Sequence, residues 1–435
     1  MKLRNLILGG LAICSMVSCS KDEVDIYANG PIDASLSFGA VAALESKAAG
    51  YGEDDLVGIE NEANVKTLDV YIFKGNTLHV YKRYPESGTI ADGSTLLAND
   101  FAIQHLTVKI GRDNETFTMY LVANCNQIAE TNLEKFQNKS IANDVTTYAL
   151  GDYMPMVSEG QTFESKKLEP LNNPANNQYA ENWVNQGGAI ESIIGGSHDA
   201  LKKPDKTSPI QITRQISRVQ VESLEVKFAE GVSGSFALKN LSLVNVPCNV
   251  TLGGTGVLPW VKTYQSDVFE IKDSAIVSKA DTKNGKFYDN VNSLNNKLTI
   301  PYQGKSLTSG TITFGEDKNE YPKFYAYTFP NNENLIAEAV DGITKAQNYQ
   351  TILLITGLYK VSEADPGSLK HFRIPIETPG KTTPLVEPNH IYLVKVKITG
   401  QGSTNEDEYE YNAHVSATIT VAPWKVVIQN EEDTN

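Results

Sequence analysis

The sequence has little cysteine and little positive charge, and each shortage excludes a class of protein. Only 4 cysteines occur in 435 residues, and they form no metal-binding or redox motif. The 38 Lys and Arg residues are outnumbered by 52 Asp and Glu, which leaves a formal net charge of −14 at pH 7. Because this charge repels phosphate groups, we expect no nucleic acid among the partners.

The motifs of enzymes and of cofactor sites are also lacking. The glycine cluster at 253–256 lacks the third glycine of a dinucleotide-binding loop, and Gly304-Lys305-Ser306 lacks the upstream glycine of a P-loop. The Gly-x-Ser-x-Gly motif of hydrolases does not occur. The 6 histidines are scattered without the spacing of metal ligands. We therefore expect no enzymatic activity, no catalytic residue, no cofactor and no metal.

The first residues are typical of a targeting signal. Lys2 and Arg4 precede an apolar run from Leu6 to about Val17, which is too short to span a bilayer. Small residues before Cys19 resemble the lipobox of bacterial lipoproteins, in which this cysteine is lipidated and becomes the new N-terminus. An ordinary secretory signal that is cleaved nearby is the alternative.

Short strands separated by Gly, Asn, Asp, Ser and Pro clusters recur along the chain, and no long amphipathic helix occurs outside the leader. Val65–Phe73 and Thr77–Tyr84 flank Gly75-Asn76 and are predicted to form a hairpin. The apolar centre of Phe117–Cys125 predicts a strand that is covered on both sides. Residues 130–208 are polar and rich in Asn and Gln, and we expect long loops there, with short helices at most.

Alternation returns after this polar region, and a domain boundary is predicted near residues 210–216. The segment that follows supplies five core candidates, Val219, Val221, Leu224, Val226 and Phe228. Cys125 and Cys248 fall on opposite sides of the boundary. We expect both to be buried free thiols, with a disulfide between them as the alternative.

The C-terminal segment "HVSATITVAPWKVVIQ" alternates as a β-strand does. Its polar face carries His414, Ser416, Thr418 and Thr420. Its apolar face carries Ala413, Val415, Ala417, Ile419 and Val421. After Ala422-Pro423 the parity changes, and Trp424, Val426 and Ile428 carry the apolar face, so we expect a bulge or bend at the proline.

A similar stripe lies near the N-terminus, where apolar residues alternate with Asp33, Ser35, Ser37 and Gly39. The apolar members are Ile32, Ala34, Leu36, Phe38 and Ala40. Residues 43–55 follow and are mostly small and flexible in composition. They are centred on Lys47, which suits cleavage by a trypsin-like protease.

The two stripes together suggest donor-strand exchange. If cleavage after Lys47 releases the first strand, a groove with unpaired backbone groups opens, and the C-terminal strand of another subunit can fill it. Such a head-to-tail contact does not close on itself, so it propagates into a fibre. The alternative is that both ends pair within their own sandwich and that the protein stays monomeric.

In these features the chain resembles the fimbrillins of the type V pilus, in particular the Mfa-like group of Bacteroidales. Besides the lipobox and "ESKAAG", the matching segments are "LDVYIF", "MYLVANCN", "ISRVQVESLEV", "FYAYTFPNNEN", "EPNHIYLVKVKITGQG" and "ATITVAPWKVV". The resemblance implies an exported lipoprotein that is trimmed between Lys47 and Ala48 and then polymerises by strand donation. The implied donor is 413–429, with Val415, Ala417, Ile419, Val421 and Trp424 as the inserted side chains. The implied displaced strand carries Ile32, Ala34, Leu36, Phe38 and Ala40.

The predicted fold class is all-β, with two tandem antiparallel β-sandwich domains of transthyretin-like or Greek-key type and few short helices. The predicted organisation is a lipoprotein signal peptide at 1–19, a propeptide with the removable strand at 20–47, an N-terminal domain at 48–212 and a C-terminal domain at 213–435.

Asp273-Ser274-Ala275 also resembles the O-glycosylation motif of secreted Bacteroidetes proteins.

The leading functional hypothesis is a structural pilin, a shaft subunit of a surface fimbria that supports adhesion. The expected partners are further copies of the chain, accessory fimbrial subunits, the processing protease, a lipid anchor in the precursor and a host receptor. The expected location is the outer membrane and cell surface. The alternatives are a tip or anchor subunit, and a monomeric surface lipoprotein that binds a host glycan or protein.

Overall fold

The structure is a computed structural model of the chain. It describes residues 26–27, 30–42, 62, 64–84, 100–142, 148, 152–173, 177–197, 201, 207–244, 246–247, 250–252, 269–272, 275–278, 299–315, 321, 323–331, 336–340, 343–347, 351–378, 386–404 and 415–423. Within these ranges the regular structure is almost entirely strand, with one α-helix. The all-β prediction is therefore confirmed.

Among the described residues up to Arg214, the one α-helix is α1 (Leu133–Gln137), which begins after Asn132, and two short 3-10 helices lie at Ser165–Lys167 and Gln186–Gly188. The Asn132 side chain caps this helix by accepting a hydrogen bond from Lys135 N at 3.0 Å. The strands are β1 (Ile32–Ala42), β2 (Leu68–Lys74), β3 (Thr77–Tyr84), β4 (Asp100–Ile110), β5 (Thr116–Ala123), β6 (Ser140–Ala142), β7 (Met156–Ser158), β8 (Gln161–Glu164), β9 (Asn172–Asn173), β10 (Gln178–Val184), β11 (Ile190–Gly195) and β12 (Ile210–Arg214).

All of these strands except β6 join one 11-stranded sheet with the order β11-β10-β1-β12-β7-β5-β2-β3. Outside this path, β4 pairs with β1, β8 with β5, and β9 with β10. The predicted hairpin is confirmed as β2 and β3, which turn at Gly75 with φ of 55°. The first strand β1 thus lies inside the sheet.

The remaining strands follow residue 216. They are β13 (Ser217–Lys227), β14 (Ser235–Val244), β15 (Val250–Thr251), β16 (Phe269–Lys272), β17 (Ala275–Ser278), β18 (Thr299–Pro301), β19 (Ser309–Thr313), β20 (Phe324–Thr328), β21 (Ile336–Val340), β22 (Ile343–Gln347), β23 (Ile352–Lys360), β24 (Ser368–Pro375), β25 (His390–Ile398) and β26 (Val415–Pro423).

These later strands form two larger sheets and the two-stranded pairs β16–β17 and β21–β22, while β15 pairs with β6. The 5-stranded sheet has the order β19-β13-β25-β26, with β20 also paired to β13, and the 4-stranded sheet has the order β18-β14-β23-β24. The chain changes sheet between Arg214 and Ser217, inside the predicted boundary region. The division into two domains at this point stays a prediction.

Two apolar clusters fill the spaces beside the sheets. One cluster, the N-terminal cluster, is formed by residues between 34 and 212 and includes Phe117, Met119 and Leu121 of β5. The other, the C-terminal cluster, contains Tyr120 and Val122 from the opposite face of β5 and extends into the strands after residue 216. The prediction that β5 is covered on both sides is therefore confirmed.

The five core candidates in and just after β13 are largely confirmed. Val219, Val221, Leu224 and Val226 are buried, and Phe228 is partly buried against the same cluster. The three-residue step from Val221 to Leu224 coincides with a bulge between Val221 and Ser223 in the pairing with β25.

Two expectations about the fold are wrong. The described residues of 130–208 are not only loops and short helices, because β7, β8, β10 and β11 lie there and join the main sheet. The sheets are also not purely antiparallel, because β1 runs parallel to β10 and β12, and β13 runs parallel to β25. The first error arose because polar composition was taken to indicate loops, although distant strands bury some of these polar residues. The second arose because alternation within a segment reports which face is buried but not which distant strand lies beside it.

Candidate functional site

The candidate site is the slot that β1 occupies in the main sheet. Its apolar stripe packs into the N-terminal cluster, and Ala34, Leu36, Phe38 and Ala40 are each 0% exposed. Ile32 is partly buried against the same cluster. The structure thus brings together the five side chains that the sequence assigns to the displaced strand. Their displacement stays a prediction.

The backbone of β1 is paired along both of its edges. On one edge it is antiparallel to β4, from Ile32 opposite Ile110 to Val41 opposite Asp100. On the other edge it is parallel first to β10, near Leu36, and then to β12, near Ala40. Removal of β1 therefore uncovers the hydrogen-bonding edges of three strands at once.

The polar face of β1 meets a buried carboxylate. Glu181 of β10 is 1% exposed, and Ser35 Oγ and Ser37 Oγ each donate a hydrogen bond to it at 2.7 Å. His105 of β4, which lies at a bulge with φ of 61°, places Nδ1 at 2.9 Å from Glu181 Oε2. Glu181 therefore links the first strand to its neighbours on both edges.

Asn182 adds a second polar contact to β1 from the same strand. Its Nδ2 donates to Ser35 O at 2.9 Å and to Glu169 O at 3.0 Å, while its Oδ1 accepts from Glu169 N at 2.8 Å. Sequence reasoning missed both Glu181 and Asn182, because their segment was assigned to a loop. The signal was present in "YAENWV", in which a Glu-Asn pair is enclosed by aromatic and apolar residues.

The C-terminal strand β26 lies at the edge of the 5-stranded sheet. It pairs antiparallel with β25 over its whole length, from Val415 opposite Ile398 to Pro423 opposite His390. Val415 and Ile419 are partly buried against the C-terminal cluster, whereas Ala417 is exposed. Within the residues that the structure describes, β25 is the one neighbour that forms a ladder with β26.

Several predicted site residues lie outside the described ranges. These are the lipidation site Cys19, the cleavage pair Lys47 and Ala48, the donor residue Trp424, Cys248 and the motif serine Ser274. Cys125 is described and is a buried free thiol, as expected for this residue. Burial raises the pKa of the Cys125 thiol well above its ordinary value.

The described part of the chain lacks two other kinds of feature. Among these residues no group of three or more His, Cys, Asp and Glu side chains could hold a metal ion. None of the helices found there is long and apolar enough to cross a membrane.

Comparison with known proteins connects this fold to fimbrial proteins. A family model of the major fimbrial subunit protein (FimA) matches residues 34–214, which include most of β1, all of β10 and the rest of the main sheet. A protein of Parabacteroides distasonis described as a fimbrium tip subunit, Fim1C, is 35% identical over 99 residues. That match covers 22% of this chain and spans 25% of the length of the relative.

Solved structures share the fold over nearly the whole chain. A fimbrilin (FimA) of Porphyromonas gingivalis aligns over 92% of this chain and 99% of its own, with 14% identity and a TM-score of 0.53. A protein of Parabacteroides distasonis described as a cell adhesion protein aligns over 91% of this chain and 100% of its own, with 15% identity and a TM-score of 0.54. The resemblance to fimbrillins that the sequence predicts is thus confirmed: residues 34–214 match the major fimbrial subunit family, and the chain has the fimbrillin fold.

Proposed function

We propose that this chain is a shaft subunit of a type V fimbria and that it polymerises by protease-triggered donor-strand exchange. The observation that carries the proposal is the contrast between its two terminal strands. β1 is buried and paired on both edges, whereas β26 is a partly exposed edge strand that, within the described residues, is paired on one. Both strands carry the same alternating apolar stripe.

Cleavage after Lys47 would cut the chain five residues beyond Ala42, the end of β1. The first strand would then be held only by non-covalent contacts and could leave the sheet. The vacated slot would present an apolar floor and unpaired backbone groups along β4, β10 and β12. Such a slot is a strong acceptor for an extended segment with matching alternation.

The C-terminal strand would gain apolar burial by moving into this slot. In its own subunit Ala417 is exposed and Val415 and Ile419 are only partly buried. Full burial of a Val or Ile side chain is worth roughly 1.5–3 kcal/mol, so completing the burial of the stripe contributes several kcal/mol before ordering costs. The strand would also exchange a ladder on one edge for ladders on two.

The monomeric surface lipoprotein is a second candidate, and one observation favours it. β26 already pairs with β25 along its full length within the same chain, so both terminal strands are satisfied in the isolated subunit. If the chain is a shaft subunit, the β25–β26 pairing is a resting state that β26 leaves when it is donated. If the chain is a monomeric lipoprotein, the pairing is permanent.

Treatment of the purified precursor with trypsin, followed by electrophoresis without boiling, tests the proposal. We expect a ladder of polymers from the wild type and only a monomer from Lys47→Ala, whose basic cleavage site is removed. A wild type that is fully clipped after Lys47 and still migrates as one band at high concentration would contradict strand exchange.

A reversible lock on β26 tests the identity of the donor. Lys395 and Thr418 lie opposite each other in the β25–β26 ladder, and both are exposed. Cysteines at both positions can form a disulfide that holds β26 in its own subunit. We expect the oxidised Lys395→Cys/Thr418→Cys variant to form no ladder. Reduction should restore a ladder at the rate of the Thr418→Cys single variant, which lacks the same hydroxyl group. Polymers formed by the locked protein would show that another segment is the donor.

A further inference from the structure

The slot of β1 is not uniformly apolar, because Glu181 lies buried against the polar face of the strand. Ser35 and Ser37, whose hydroxyl groups donate to this carboxylate, both leave with β1. His105 stays behind, since it belongs to β4. A buried carboxylate that loses donors is strongly destabilising, so the strand that refills the slot should bring replacements.

The donors have a defined spacing. Ser35 and Ser37 are two residues apart on one face, and each donates to a different oxygen of the Glu181 carboxylate, at 2.7 Å. A replacement strand therefore needs hydroxyl side chains at positions i and i+2, with apolar residues at i−1, i+1 and i+3 for the opposite face. A shift by one residue would turn the hydroxyls to the apolar floor.

The C-terminal strand has this pattern. When it is aligned with β1 in the same direction, Ser416 takes the place of Ser35 and Thr418 takes the place of Ser37. The apolar positions Ala34, Leu36, Phe38 and Ala40 are then filled by Val415, Ala417, Ile419 and Val421. Small and large side chains change places within the stripe, but its total size is similar.

A shift by two residues also supplies two hydroxyls, from Thr418 and Thr420, but it places Pro423 at the position of Ala40. The backbone of β1 is paired on both edges there, with Phe101 of β4 and Ile210 of β12. Proline has no N–H to donate and is poorly accommodated in a strand paired on both sides. The register with Ser416 and Thr418 at the carboxylate is therefore the better one.

We propose that Glu181 is a recognition site for the incoming strand, which selects Ser416 and Thr418 by their hydroxyl groups and so fixes the register of the joint. This inference rests on the proposed strand exchange. In this inference the polar face of the donor strand determines its register, while its apolar face supplies most of the apolar surface that is buried in the slot. A strand of equal hydrophobicity without the hydroxyl pair would fit the floor of the slot and leave Glu181 short of donors.

The test compares full-length precursors that differ only on the exposed face of β26. Ser416 and Thr418 are exposed in the subunit, so Ser416→Ala/Thr418→Val should leave its own folding unchanged, which its melting temperature checks. After trypsin treatment we expect its ladder to form on the order of tenfold more slowly than that of the wild type, since two hydrogen bonds to a carboxylate are lost. Thr420→Val is the matched control, and its rate should be unchanged.

A double-mutant cycle separates recognition from simple loss of strand propensity. In a Glu181→Leu background the carboxylate is removed, so Ser416→Ala/Thr418→Val should no longer slow the ladder relative to its parent. Ser416→Thr/Thr418→Ser, which keeps both hydroxyls, should polymerise as the wild type does in the Glu181 background. If Glu181→Leu does not fold, this hydroxyl-exchange variant alone still distinguishes a hydroxyl requirement from an effect of shape.

The outcomes distinguish the two proposals. If the clipped wild type forms no ladder, strand exchange itself is wrong. If the wild type polymerises and Ser416→Ala/Thr418→Val polymerises at the same rate, strand exchange stands and the role of Glu181 is wrong. If Thr420→Val is the slow variant instead, the proposed register is wrong.

Discussion

Glu62 Oε2 lies 3.0 Å from Arg218 Nη1, and the two side chains are 0% and 5% exposed, which makes this a buried ion pair. The Tyr327 hydroxyl donates to the same carboxylate, and Arg214 Nε donates to the Glu62 carbonyl oxygen at 2.8 Å. Glu62 lies 15 residues after Lys47 in the sequence, whereas its partners lie at the change of sheet and in β20. If the chain is cut after Lys47 as proposed, the pair fastens the new N-terminal segment to the strands after residue 216.

Loss of the Glu62 carboxylate should be strongly destabilising. Removing one partner of a buried pair leaves the other charge without compensation, which typically costs about 3–5 kcal/mol. We expect Glu62→Gln to lower the free energy of unfolding by about that amount in denaturant titrations. The control is Glu164→Gln, which removes an exposed partner of Lys166 and should change stability little. Equal stability of the Glu62 and Glu164 variants would contradict the fastening role.

The Cys125 thiol should be inert in the folded protein. It is buried, it donates a hydrogen bond to Ala123 O at 3.1 Å, and burial raises its pKa, so little reactive thiolate forms. We expect iodoacetamide to leave Cys125 unmodified under native conditions and to alkylate it in denaturant, as measured by peptide mass spectrometry. Rapid native alkylation at Cys125 would show that the C-terminal end of β5 opens readily.

Prediction from sequence succeeded where a segment carries its own signal. The β2–β3 hairpin has a Gly-Asn turn, β5 has a continuous apolar centre, and β1 has strict alternation, so each could be recognised without knowledge of its neighbours. The polar residues of the site could not be recognised in this way, because the pattern around Glu181 and Asn182 does not show which distant strand buries them. Glu181 is buried because Ser35 and Ser37, which lie 146 and 144 residues away, provide its donors. Composition alone assigned its segment to a loop.

His371 should make stability depend on pH. It is buried in β24 with Nδ1 at 3.1 Å from Thr356 Oγ1, and burial, together with Lys370 and Arg373, lowers its pKa from 6.5 to about 4. Between these values the unfolded chain binds a proton that the folded chain does not. The contribution of His371 to stability is therefore constant above about pH 6.5 and falls as the pH drops toward 4, by at most about 3 kcal/mol.

The pH dependence of His371 can be isolated by subtraction. Free energies of unfolding of the wild type and of His371→Gln are measured from pH 7.5 to 4. The difference between them should change over the interval from 6.5 to 4 and be flat above it. A difference that is flat throughout would show that the imidazole is protonated in the folded state as readily as in the unfolded chain.

The two terminal strands should be distinguishable by truncating one side chain in each. Phe38 of β1 is 0% exposed, so Phe38→Ala should destabilise the uncleaved precursor by about 3–5 kcal/mol. Ile419 of β26 is only partly buried, so Ile419→Ala should affect the precursor much less. After cleavage the order should reverse. Polymers of Phe38→Ala have lost the altered strand and should match the wild type, whereas polymers of Ile419→Ala have a cavity in every joint and should dissociate at lower temperature on unboiled gels. Wild-type stability of the Ile419→Ala polymer would mean that this side chain does not enter the slot that Phe38 leaves.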